Sequence, residues 1–476
     1  MKRSRLASLA LLASAVAIAQ MFAATARPRY GGMLRVESDV AITSLAQALQ
    51  ASSSRDQSAR SALLSLVFET LVTIDASDNL QPLLAISWRH DTGARRWDFR
   101  LRPGILLHDG TALTPAMAAA ALGQADASWT VQPTDEGVSI DTEVDVPDLP
   151  WEIADERHAI AVPPSPDALP AGTGPFRVAG FDPGRRIVLE ANDAYWGGRP
   201  FLDVIQVSMG RALREQAVDL ELGRAEVVSL LPQDVRRISQ RGFLAARSRP
   251  NQVMALVFDP GRPASSSGQL RTALALAIDR TAICTVLLQR EAEPAAALIP
   301  AWLGGYASFF STQVDREAAR SIALRLPATL RALTLGYPAS DPLAQAIAER
   351  AAVDARDAGI SLNLQAEPGG STRSVADIRL VRMSVEAPTA AAALLQLSSL
   401  FAVGRLPVPD DLRSPGSLEA AFGFEQSVLE RHLVIPLVHI ADIYGLSPRL
   451  HDSNGPVVLP SGRLDLADSW LLPEEP

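Results

Sequence analysis

The sequence predicts an α/β protein of more than one domain, on three observations. Residues 333–337, 343–358 and 360–365 read as strand, helix and strand, the pattern of a right-handed βαβ unit with parallel strands. Of the 476 residues, about 450 remain once an N-terminal export segment is set aside, more than one hydrophobic core holds and enough for two or three domains. Short β-rich runs at 71–74 and 97–101, divided by Asp, Gly and Asn turns, predict a small β-rich subdomain.

Taken in order, the chain opens with Lys2, Arg3 and Arg5, then an apolar run to Ala24 and Ala24-Thr-Ala26. Charge, apolar stretch and small-x-small exit are those of a cleavable signal peptide over 1–26, and imply export to the periplasm. No Cys follows the run for a lipid anchor, and no Arg pair marks twin-arginine export. Acids outnumber bases 53 to 44, and losing the three N-terminal cations makes the rest more acidic still. That balance argues against a nucleic-acid partner, which requires a basic stripe. One cysteine, Cys284, makes no internal disulfide and reads as a buried helix residue.

A strand at 31–36 leads to 37–45. Thr114 and Pro115 open an alanine-rich helix to about 125 as N-cap and first residue. His108-Asp109-Gly110, which resembles a catalytic or metal-binding group, reads as a tight turn. Between 132 and 170 acids and prolines accumulate, among them Val162-Pro-Pro-Ser-Pro166, a reduced subdomain with a Pro-rich return to the main sheet. Gly172-Thr-Gly-Pro175 is a tight turn, explained by the φ > 0 that glycine allows. Runs at 176–181 and 187–191 flank Asp182-Pro-Gly184 and read as a hairpin, closed by Tyr195-Trp196-Gly-Gly198. Helices follow at 213–222 and from Pro232, a central strand at 253–258, and two helices within 270–289, the second capped by Asp279. A strand at 377–383, helices at 388–401 and 417–432, and strands at 435–440 and 444–446 complete the α/β layer.

These segments carry a resemblance. Gly172-Thr-Gly-Pro175 through Asn192-Asp-Ala-Tyr195-Trp196-Gly-Gly198, with Phe68-Glu-Thr-Leu-Val72 and Asp75, Gln81 to Trp88, Trp97 through His108-Asp-Gly-Thr111, and Leu270 to Arg280, is similar in order to the extracellular solute-binding proteins of family 5, the peptide, nickel and opine binders that serve ABC importers. It implies a two-lobed periplasmic-binding-protein fold of class II, with an extra small β-rich subdomain in the first lobe. Lobe 1 would comprise 27–60 and 170–257 with a return at 434–476, the subdomain 61–169, and lobe 2 258–433.

Family peptide binders place an Asp against the peptide ammonium after a strand. The matching stretch puts Glu386 on that Asp and Met383 on a family Trp, with Ser384 and Val385 between; Ala41, Ile42 and Thr43 fall where the family edges its groove. Glu386 also reads as an exposed loop glutamate. The resemblance implies a monomer with no cofactor and no catalytic or metal residues. Its partners would be a peptide or small-molecule ligand and ABC permease subunits in the inner membrane. The six histidines, at 90, 108, 158, 432, 439 and 451, lie in unrelated segments, and no zinc, Walker or nucleophile-elbow motif occurs. A transport-inactive sensor or scaffold, and more distantly a secreted hydrolase, are the alternative readings.

Overall fold

The computed structural model describes residues 27–50, 57–162, 169–306, 310–368, 376–385, 387, 389–397, 412 and 418–473. The expected signal peptide, Glu386, and prolines 163, 164, 166 and 388 lie outside them. Two long antiparallel strands, Leu244–Phe258 and Val434–Leu446, run through both halves of one 11-stranded sheet. Their N- and C-terminal partners differ. Residues 244–247 pair with 443–446, and 252–257 with 434–440, and the register shifts on both sides of Pro250. Proline has no N–H to give the ladder, so the break falls where it is cheapest. This irregularity is the crossing between two lobes.

On one side of the crossing the sheet continues through Val227–Ser229, Met33–Glu37, Val204–Ser208 and the hairpin Arg186–Ala191 and Phe176–Asp182. Leu34, Phe68, Phe176, Leu189 and Ile205 form the core there. On the other side lie Ile378–Ser384, Ala332–Pro338 and Ser361–Glu367. The expected βαβ unit stands as Ala332–Pro338, helix Pro342–Asp357 and Ser361–Glu367, with parallel pairing. Asp341 caps the helix, its carboxylate accepting the Leu343 and Ala344 N–H groups. Leu335, Ile347, Ala351 and Ile360 bury its apolar face. Asp279 likewise caps Arg280–Ala282, which runs into a π-helical turn Ile283–Leu287. Cys284 is buried there, its thiol pushed up to about 12 by burial, which leaves it protonated and unreactive.

A separate four-stranded sheet, Ala85–His90, Arg96–Leu101, Gly137–Asp141 and Thr130–Pro133, packs on helix Pro115–Ala125 around Trp97, Phe99, Leu122 and Ile140. Strand Gly137–Asp141, the end of strand Thr130–Pro133 and helix Leu149–Ile153 fall in the segment expected to be a reduced subdomain with a Pro-rich return. Their core is long-range: Val138 and Ile140 are buried opposite Phe99 and Trp97, and only the alternation in Gly137-Val-Ser-Ile-Asp141 signals it in sequence.

The Gly172-Thr-Gly-Pro175 turn forms for a different reason from the one expected. Neither glycine has positive φ. A Cβ at Gly172 would lie 1.9 Å from the Val67 carbonyl oxygen, and one at Gly174 2.6 Å from that of Leu66. The turn is glycine-rich because two backbones touch: Gly174 N–H donates to Val67 O and Phe176 N–H to Leu66 O. His108 closes the cluster, bonding with Gly174 O through Nε2 and accepting the Gly172 N–H at Nδ1. His108-Asp-Gly110 is therefore a turn with a clamping role; Gly110 has φ 85° and Asp109 accepts the Thr111 N–H.

In lobe 2, Glu425 of helix Leu418–Glu430 is fully buried and its Oε1 accepts the Leu298 and Ile299 N–H groups at 2.5 and 3.0 Å, with Tyr306 alongside. Burial pushes its carboxyl up to about 7. Because the folded pKa exceeds the unfolded one, the stabilisation is complete below about 4.5 and is lost as pH rises toward 7. Glu425→Gln keeps the acceptor and removes the titration. The variant is expected to flatten the stability profile over that window and to exceed the parent above pH 7 by up to about 3 kcal/mol, measurable by urea unfolding at pH 5 and 8.

Candidate functional site

The crossing strands carry a buried polar network. Asp442, the one acid in the largely apolar strand Val434–Leu446, accepts hydrogen bonds from Ser58 Oγ at 2.8 Å, Asn251 Nδ2 at 3.0 Å and Gln252 Nε2 at 2.7 Å. Arg382 Nε donates to Gln252 Oε1 at 2.5 Å, and the same guanidinium faces Asp341 at 3.5 Å. Burial raises the Asp442 carboxyl above the usual aspartate range, while its donors pull it down. The network therefore joins helix Gln57–Leu64, both crossing strands and two lobe 2 elements. Buried donors and acceptors satisfied this completely fix one geometry.

In front of the network lies a cavity of about 470 Å³, within the range of small-ligand sites. Ile74, Asp75, Asp78, Trp151, Asp155 and Glu156 line it from the β-rich subdomain, Trp302, Leu303, Val385 and Ala387 from lobe 2, and Ser58, Asn251, Leu459, Pro460, Ser461 and Arg463 from the crossing and the C-terminal return. Its charges are mixed. Arg249 pairs with Asp78 and lies over the Trp302 ring, 5.5 Å from the centroid. The Trp302 indole N–H donates to Pro250 O at 2.8 Å, and Arg463 pairs with Glu156 at 3.1 Å. Subdomain, crossing strand and lobe 2 meet at the Arg249 side chain. These apolar walls with convergent ion pairs suit a small solute of both charge signs. No cluster of nucleophile, base and oxyanion donors lines the cavity among the described residues.

A second cavity, about 70 Å³, is lined by Asp39, Val40, Arg382 and Asp442, so the network reaches from one cavity to the other. Of the residues expected at the site, Val385 lines the larger cavity, and its N–H donates to Asn251 O at 2.7 Å. Met383 and Ser384 precede it in strand Ile378–Ser384, opposite Val253 and Gln252; Met383 packs on the lobe 2 core and Ser384 is buried. Glu386 is outside the described residues, but its neighbours Val385 and Ala387 both line the cavity. Ala41, Ile42 and Thr43 are not brought to it. Ile42 is buried in the lobe 1 core and its carbonyl accepts the Gly184 N–H at 2.7 Å, while Ala41 and Thr43 lie beside Gly210 and Gly184. Asp442, Asn251, Arg249 and Trp302 escaped the sequence reading. A lone acid within an apolar strand was the one local signal, at Asp442.

The aromatic pair of the signature is a strut. Tyr195 OH donates to Glu69 Oε1 at 2.8 Å and Trp196 Nε1 to Glu69 Oε2 at 3.0 Å. Arg102 covers the Trp196 ring, 4.3 Å from its centroid. This ties lobe 1 to the subdomain that forms one cavity wall. His439 is also structural: it is buried, bonds through Nε2 with Leu298 O at 3.2 Å, and is held by burial at about 4, neutral.

Residues 151–397 match the family described as bacterial extracellular solute-binding proteins, family 5 middle. The chain is 28% identical over 160 residues to the dipeptide-binding protein of Escherichia coli K12. That alignment covers 33% of this chain and spans about a third (30%) of the relative's length. Among solved structures, the dipeptide-binding protein of Pseudoalteromonas sp. SM9913 in complex with Met-Leu superposes with a TM-score of 0.78 at 14% identity, over 93% of this chain and 100% of that one. MoaA of A. tumefaciens R10 in complex with mannopinic acid gives 0.78 at 18%, over 93% and 99%. At such identities the agreement is one of fold.

Proposed function

The chain belongs to the bacterial extracellular solute-binding proteins of family 5, and from that membership we propose that it captures a short peptide or a similar small, partly charged solute between its lobes. It delivers that solute, outside the cytoplasm, to the permease subunits of an ABC importer and does no covalent chemistry on it. The observation that carries the reading is the cavity at the lobe crossing, with subdomain, crossing strands and lobe 2 each contributing a wall. A zwitterion exchanges with the ion pairs already there, its carboxylate taking Arg249 or Arg463. Such a ligand touches both lobes at once, so its binding energy favours the closed arrangement over any other.

Glu386 is the proposed ammonium contact, with Met383, Ser384 and Val385 leading up to it. Glu386→Gln removes the charge and keeps the shape. Titration calorimetry against a dipeptide panel is expected to show affinity falling by at least about 1 kcal/mol for amine-bearing ligands. Unchanged affinity removes Glu386 from the site, and an absence of heat with every peptide moves the ligand to another solute class.

A further inference from the structure

We propose that Asp126, Glu152 and His158 form a site for one divalent transition-metal ion in the β-rich subdomain, apart from the solute cavity. One ligand atom of each lies within 4.8 Å of the other two. None of the three lines the cavity.

The histidine is prepared as a ligand. His158 is 1% exposed, its ring packs against Trp129 with centroids 4.6 Å apart, and Nδ1 lies 2.7 Å from the Glu152 carbonyl oxygen. Nδ1 must carry the proton to donate there, so Nε2 holds the free lone pair. Nε2 makes no hydrogen bond among the described residues. Fixing one ring nitrogen with a backbone carbonyl while the other stays open is how metal-binding imidazoles are oriented.

The carboxylates are under-compensated. Asp126 Oδ1 accepts the Ser128 N–H and hydroxyl at 2.8 and 2.6 Å, which orients the group without neutralising it. Among the described residues the one cation paired with Glu152 is the partly exposed Arg157, at 3.8 Å, and Arg157 is shared with Asp155 at 3.7 Å. A cation between Asp126 and Glu152 relieves their mutual repulsion. One imidazole nitrogen with two carboxylate oxygens, and positions left for water, suits zinc, nickel or cobalt; calcium takes oxygen ligands alone.

The position gives the ion a role. Asp126 ends helix Pro115–Ala125, Glu152 lies in helix Leu149–Ile153 and His158 ends the turn Glu156–His158. Between them Trp151, Ala154, Asp155 and Glu156 line the solute cavity. The ion would pin the back of the segment whose front is the cavity wall.

The test uses untagged full-length protein stripped with EDTA, titrated separately with zinc, nickel and calcium chlorides by calorimetry, with thermal unfolding in parallel. The expected result is one zinc per chain and a raised melting temperature, with affinity falling at least about tenfold in Asp126→Asn and in Glu152→Gln. The melting temperature of the metal-free protein should not fall in either variant. No saturable zinc heat, zinc binding undiminished in the Asp126→Asn/Glu152→Gln double variant, or an equal response to calcium overturns the proposal. Peptide titrations of the same samples report on the solute cavity independently.

Discussion

Gly172→Ala is expected to destabilise the protein by about 3 kcal/mol or more, among the largest effects of any single methyl group added to this chain. The added Cβ would sit 1.9 Å from the Val67 carbonyl oxygen and 2.8 Å from the Phe68 ring. Neither gives way cheaply, because the Val67 carbonyl is held by the Gly174 N–H and Phe68 is fully buried. Overpacking against backbone costs more than against the end of a flexible side chain. The displaced turn also breaks the His108 clamp and, through Pro175 O, the Asn192 N–H bond that starts the Tyr195-Trp196 strut. Equilibrium urea denaturation measures the loss. Ala at the exposed Gly123, where a Cβ would meet nothing, should leave stability unchanged or raise it slightly, by helix propensity.

Asp442→Ala is the second large effect. The substitution removes the acceptor shared by three buried donors, from Ser58, Asn251 and Gln252, and a buried donor that loses its partner costs about 1–3 kcal/mol. Asn251 retains Ser461 O as an acceptor at 2.5 Å, so the expected total is about 3–4 kcal/mol. Solute binding should weaken in the same variant, because Ser58 and Asn251 line the cavity. Asp442→Asn keeps an acceptor oxygen and should lose markedly less. Equal losses in the two variants would mean that one retained acceptor oxygen does not hold the network, which then depends on the full carboxylate.

These two positions mark the limit of what the sequence discloses. The secondary structure is legible because its causes are local: Thr114 with Pro115, Asp341 with Pro342 and Asp279 each cap the helix expected of them, and Asp182-Pro-Gly184 turns the hairpin, with Gly184 at φ 72°. Strands Gly137–Asp141 and Thr130–Pro133 were hidden because what makes them strands is their pairing with one another and with Arg96–Leu101. The reason for Gly172 was hidden in the same way, since its neighbour is Val67, a hundred residues away in sequence. The polar network of the crossing strands is the extreme case: Ser58 and Asp442 are 384 residues apart, and no spacing rule reaches across them. At the cavity, the stretch before Glu386 was found through resemblance alone. Arg249 and Trp302, which join three parts of the molecule there, follow only from the fold.

The central claim is that one small solute sits unmodified at the lobe crossing. Native mass spectrometry after incubation with a dipeptide library and with a small-molecule extract of the host tests it directly, on the parent and on Ala387→Trp, whose indole fills the cavity from lobe 2. The account predicts one solute per chain in the parent, recovered with its mass unchanged, and none in the filled variant. A solute bound equally by both proteins, or recovered as a cleaved product, would contradict it.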